Sequence, residues 1–230
     1  MNVAYTWAHA LTTNQSDRSS GIQSSSCIRC DYGRATLDRR HVLSANYVYD
    51  LPWHRTQQGI VGRILGDYEI TGILVGNSGL PFTVFAPRRN GDPAAIGVNT
   101  SGSPNNGRVA TPRPNQVGDP NSGAPKTWDK FFNTSAFVAV AIGGATGNER
   151  RGAVTGPGLW RYDMAFIKNT NLSEQVHLQF RAEAFNLFNH TNFSSIGTTM
   201  PLPSATSTTF GTVTNTRDPR ILQLALKLSF

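Results

Sequence analysis

The C-terminal segment constrains the fold more than any other stretch of this chain. Leu222, Leu224, Leu226, Leu228 and Phe230 alternate without a break with Gln223, Ala225, Lys227 and Ser229. Residues two apart share a face only in an extended chain, because a helix would spread them around its circumference. The segment therefore reads as a β-strand with one face against something apolar.

Five further segments alternate in the same way. In Val3 to Ala10, Val3, Tyr5 and Trp7 oppose Ala4, Thr6 and Ala8. In Val42 to Leu51, Leu43, Ala45, Tyr47, Tyr49 and Leu51 oppose Ser44, Asn46 and Asp50. Tyr68, Ile70, Gly72 and Leu74 oppose Glu69 and Thr71, and Trp160, Tyr162, Met164 and Phe166 oppose Arg161, Asp163 and Ala165. Val176, Leu178, Phe180, Ala182 and Ala184 oppose His177, Gln179, Arg181 and Glu183. The expected fold is all-β and antiparallel. An apolar face backed by a charged one suits a sheet with one wet side, and equally a barrel with lipid outside and water within. In a barrel, Arg161, Asp163, Arg181 and Glu183 face the lumen, where ion pairs across strands are expected to satisfy them.

Connection lengths separate those two architectures. The gaps Leu11–His41, Pro52–Asp67, Gly76–Leu159, Asn169–Gln175 and Phe188–Pro219 run long, short, long, short, long. Outer-membrane barrels combine long extracellular loops with short periplasmic turns. With the C-terminus at the periplasmic rim, all three long gaps fall outside, including the longest loop at about 86–159. Trp7, Trp160 and Tyr162 then approach the outer interface, and Tyr49, Trp53, Tyr68 and Phe230 the inner one, as aromatic girdles do. A secreted soluble β-sandwich, binding through loops at one end, is the competing reading.

Six strands do not close a barrel, since the smallest have about eight. Open edges in lipid leave backbone groups unpaired at several kcal/mol each. No secretory leader precedes the first strand, which begins directly after Met1. Residues 1–230 are accordingly expected to be the C-terminal portion of a larger barrel, without its N-terminal strands.

The bulk chemistry excludes other classes. No run of about 18 apolar residues occurs, so no helix is expected to span a bilayer. Mean hydropathy is −0.31, which a barrel tolerates because only alternate residues face lipid. The net charge is +7, but the arginines come as scattered pairs, Arg39-Arg40, Arg88-Arg89 and Arg150-Arg151. Nucleic acid is not an expected partner, since that requires a clustered basic surface.

No catalytic constellation is present: no G-x-S-x-G, H-E-x-x-H or phosphate-loop pattern occurs, and no enzyme activity, cofactor or metal is expected. Gly143-Gly144-Ala145-Thr146-Gly147 lacks the lysine of a phosphate loop, and sequons at Asn14 and Asn133 carry little weight. Cys27-Ile28-Arg29-Cys30 could be a redox pair or half a zinc site with His41; in an exported loop, a local disulfide or two idle thiols is the plainer expectation. Trp128, Phe131 and Phe132 are the anchors expected to fold the longest loop.

Several stretches resemble the C-terminal barrel of TonB-dependent outer-membrane receptors of the Oar-like, acidobacterial type. They include Asp38-Arg39-Arg40-His41 leading to Ser44 through Pro52, Tyr68 through Leu74 running into Ser78 through Thr83, Arg113 through Pro120, and Gly156-Pro157-Gly158. The longest are Leu178 through Phe193 and Arg217 through Phe230. The resemblance implies a barrel of about 22 strands plugged by a domain through which TonB acts, taking up a ligand across the outer membrane. It implies lipid and the barrel-assembly machinery as partners, the latter reading Leu222, Leu224, Leu226, Leu228 and Phe230. Residues 1–230 match neither the plug nor the TonB-contacting segment of that pattern, so active transport is expected to belong to a parent barrel.

Overall fold

The structure is a computed structural model that describes residues 1–13, 27–54, 56–86, 113–140, 147–201 and 209–230. Six long strands form one sheet: β1 (Asn2–Trp7), β2 (His41–Asp50), β3 (Tyr68–Asn77), β4 (Leu159–Asn171), β5 (His177–Phe185) and β6 (Ile221–Ser229). They lie in chain order, each antiparallel to the next, with β1 and β6 at the two edges. The sheet is open and does not close into a barrel.

Register aligns all six alternations. Leu222 opposes Ala184, which opposes Met164, then Gly72, then Tyr47. Val3 and Tyr5 oppose Ala45 and Leu43. Directly opposed residues in antiparallel strands project to the same face. One face therefore carries Val3, Tyr5, Leu43, Tyr47, Ile70, Leu74, Tyr162, Phe166, Leu178, Phe180 and the β6 leucines without interruption. A slip of one residue in any strand would turn its apolar set to the other side.

Nothing among the described residues covers this face at β6. Leu222, Leu224, Leu226 and Leu228 are 69, 71, 69 and 55% exposed. A β-sandwich would bury them under a second sheet, whereas the remaining strands here are four two-stranded pairs in the connections.

The buried core lies in the long loops instead. Val84, Phe132, Phe137, Val154, Ile196 and Val213 form its centre, joined by Phe131 and Ala136. These residues come from the connections β3–β4 and β5–β6, so two loops share one core. Phe132 packs edge-on against Phe137 and Phe210 at 6.0 and 5.3 Å. Of the three expected anchors, Phe131 and Phe132 are buried, whereas Trp128 is half-exposed and reaches Phe193 in the next loop at 6.0 Å.

Several boundaries differ from the sequence reading. β1 stops at Trp7 because the Ala10 N–H turns to the Asp38 carboxylate at 2.8 Å instead of extending the ladder. β4 runs on to Asn171, and the next hairpin is correspondingly short, closed by the Leu172 N–H on Val176 O at 2.9 Å. The connection Pro52–Asp67 holds a short helix, α1 (Gly59–Leu65), which no long 3.6-residue period announced. Seven residues are too few to display one.

Candidate functional site

The long connections all leave the same end of the sheet, and ionic groups tie them together. In the β1–β2 connection, Asp38 takes three donors: the Ala10 N–H, Arg34 Nε at 2.8 Å and His9 Nδ1 at 3.0 Å. Burial alone would raise the pKa of this carboxyl, but Arg34, the Ala10 N–H and His9 outweigh it and hold the pKa at about 2. Arg34 also reaches Thr155 in the β3–β4 connection at 3.0 Å.

A second knot is fully buried. Asp31 accepts from Arg113 Nη2 at 2.9 Å and from Arg151 Nε at 3.2 Å. The three side chains are only 1, 2 and 8% exposed. Arg113 also donates to the Cys30 carbonyl at 2.6 Å. One carboxylate thus clamps two separate parts of the β3–β4 connection onto the β1–β2 connection. Desolvation is the chief cost, which close contacts offset only when the geometry is good.

Glu149 stands beside this knot. Its Oε1 accepts from the Val84 N–H at 2.9 Å, whereas Oε2 and Arg113 Nη1 are buried without hydrogen-bond partners. Burial pushes the Glu149 carboxyl up to about 8, against the opposing pull of the Val84 N–H and Arg113. A cleft of about 660 Å³ opens here, lined by Arg29, Tyr32, Asn148, Glu149 and Arg150 among others. Glu149 holds its proton there, so the charged groups of the lining are the cations Arg29 and Arg150.

Cys27 and Cys30 are joined in a disulfide. His41 is not beside them in a metal site; its Nδ1 meets the Tyr5 hydroxyl at 2.8 Å. Among the described residues, no group of three His, Cys, Asp or Glu side chains is placed to hold a metal ion. Arg88-Arg89, Asn14 and the 143–146 part of the glycine-rich run lie outside the described residues.

On the face opposite the leucines, Arg161 pairs with Asp163 at 3.0 Å and Arg181 with Glu183 at 2.8 Å. The expected cross-strand ladder is corrected here, since both pairs run along a single strand. The reason is register: Arg181 opposes Ile167 and Ala225, and Arg161 opposes Val75, none of which carries charge. Asp163 further accepts the Asn186 N–H at 2.8 Å, which links β4 to the turn after β5.

That turn is built by asparagines. Asn186 and Asn189 adopt positive φ of 52° and 51°, a region Asn tolerates better than most residues. Asn186 is buried and its side chain spans the His190 N–H and carbonyl, while Asn192 bridges both backbone groups of Trp160. The Phe188 ring lies 5.6 Å from Trp160 and 5.7 Å from Tyr162 along this rim.

The sequence reading missed Asp31, Asp38, Arg113 and Glu149 as a group. Each lies in a polar loop, and their partners lie as far as 120 positions away in sequence.

A consecutive antiparallel sheet with one uncovered apolar face, charges on the other and long loops at one end is the wall of a membrane-spanning β-barrel. A family model described as an outer membrane beta barrel domain matches residues 1–223, so the chain belongs to that family and its place is the outer membrane. The match ends within β6. No curated protein and no solved structure matches the chain.

Proposed function

We propose that this chain is the C-terminal barrel portion of a TonB-dependent, Oar-like outer-membrane receptor that works in ligand uptake, with no catalytic role of its own. The observation that carries the reading is the register, which joins six alternating strands into one continuous apolar face with every long loop at one end. Lipid covers that face, the charged face lines the lumen, and the remainder of the barrel pairs with the edges of β1 and β6. The stretches Leu178 through Phe193 and Arg217 through Phe230, which resemble the Oar-like type, support the receptor type. The loop layer, with its buried ionic knots, is the extracellular mouth where a ligand first meets the protein.

The genomic sequence upstream of Met1 tests the receptor assignment. The expected result is an in-frame extension encoding further alternating strands, a plug domain and a secretory leader. A complete eight- to twelve-stranded barrel with no plug would overturn the TonB-dependent assignment while leaving the barrel in place.

A further inference from the structure

The β2–β3 connection places a greasy helix at the short-turn end of the sheet. Ile60, Val61, Ile64 and Leu65 of α1 are 79, 59, 59 and 52% exposed, and Trp53 just before it is 65% exposed. This is no loose turn. The Tyr68 hydroxyl donates to the Ile64 carbonyl at 2.7 Å, and Lys168 Nζ donates to the Gly66 carbonyl. Gln57 is buried and spans Asp67, the Asn169 carbonyl and the Asn171 N–H. Gly62 lies against the Gln57 backbone, where a Cβ would come within 2.9 Å of the carbonyl carbon. The helix is therefore pinned with its apolar side chains outward.

Its position decides what those side chains meet. Tyr68 and Phe166 belong to the apolar face, since Phe166 opposes Ile70 and Tyr68 opposes Lys168. Their rings stack at 5.1 Å. Between them and the helix runs a groove of about 510 Å³, lined by Leu51, Trp53, His54, Leu65, Tyr68 and Phe166. The groove is continuous with the apolar face, and Arg63 stands exposed in the last turn of α1. An apolar helix surface next to a cation suits the boundary between acyl chains and phosphate headgroups.

We propose that α1 lies in the inner-leaflet interface and that its groove takes an acyl chain of a glycerophospholipid. The proposal rests on the barrel-wall reading, because it takes the apolar face as the lipid side.

Cys27 and Cys30 are bonded to each other, so a single added cysteine can be labelled selectively. The parent barrel carrying Ile64→Cys, Leu224→Cys or Gln179→Cys is labelled with a bimane and reconstituted in phosphatidylethanolamine–phosphatidylglycerol vesicles containing acyl-brominated phospholipid. Bromine is expected to remove at least half of the emission at Ile64 and Leu224 and little at Gln179, on the opposite face. Quenching at Leu224 but not Ile64 overturns the lipid site alone: iodide quenching at Ile64 would show water there, and protection from both quenchers would show a protein cover. Absence of bromine quenching at both positions overturns the barrel-wall reading with it.

Discussion

The hydroxyl of Tyr47 lies 2.5 Å from that of Tyr162, two strands away, and the ring that makes this reach crosses Gly72 of the strand between them. A Cβ at Gly72 would stand 2.4 Å from Tyr47 Cε1. The glycine is thus the space in which β2 and β4 are bolted together over β3. Gly72→Val should displace the ring, break the hydrogen bond and destabilise the refolded chain by about 1–3 kcal/mol. Tyr47→Phe should cost about 1 kcal/mol. Urea titration in lipid vesicles reads both, and equal stability for Gly72→Val and the parent would remove the bolt.

The in-phase register predicts a sharp contrast between neighbours on β6. Leu224→Arg should lower folding stability in vesicles by about 2–4 kcal/mol, the penalty for a cation on the lipid face near mid-bilayer. Gln223→Arg, one residue away on the other face, should stay within about 0.5 kcal/mol of the parent. Similar costs at both positions would contradict the assigned faces.

Removing the Asp31 carboxylate strands Arg113 and Arg151 in a buried site. Asp31→Ala is expected to cost the loop layer about 3–5 kcal/mol, as for a buried ion pair that loses one partner. Amide exchange mapped along the chain provides the check. Protection should fall in residues 27–40, 113–140 and 147–158 and persist in β2 to β5; uniform loss would show that loops and sheet unfold together.

Glu149 makes the same layer pH-dependent. Folded Glu149 keeps its proton up to about 8, whereas an ordinary glutamate releases it at 4.5. Between those values the folded state holds the extra proton, so this contribution is complete below 4.5 and is lost as pH rises toward 8. Proteolysis of the loops should therefore accelerate from pH 5 to pH 8.5. Glu149→Gln, which keeps an acceptor for the Val84 N–H, should flatten the profile; an unchanged slope would assign it to another group.

Phe230 is 97% exposed at the end of a strand whose leucines are also bare. Its deletion should reduce outer-membrane assembly of the full-length parent severalfold while leaving its synthesis unchanged. Fractionation and surface proteolysis measure this, and normal assembly would show that the terminal aromatic is not read.

All six strands and their apolar faces were legible in the sequence because alternation is a local property. Val3-Tyr5-Trp7 or Leu222-Leu224-Leu226 needs no distant partner to declare its period. The unequal spacing of the segments likewise carried the loop asymmetry, which needs only counting. The α1 helix was not legible, being shorter than two turns and held by Gln57, Tyr68 and Lys168 rather than by its own periodicity.

Only the tertiary structure decided the rest. It paired Arg181 with Glu183 along one strand, because register set uncharged residues opposite each of them. It brought Asp31 to Arg113 and Arg151, and Glu149 to Val84, across separations that no pattern encodes. Periodicity determines which way a side chain points from its own strand; the partner it meets depends on how distant segments close in space, and for loop charges that closure is the whole of the information.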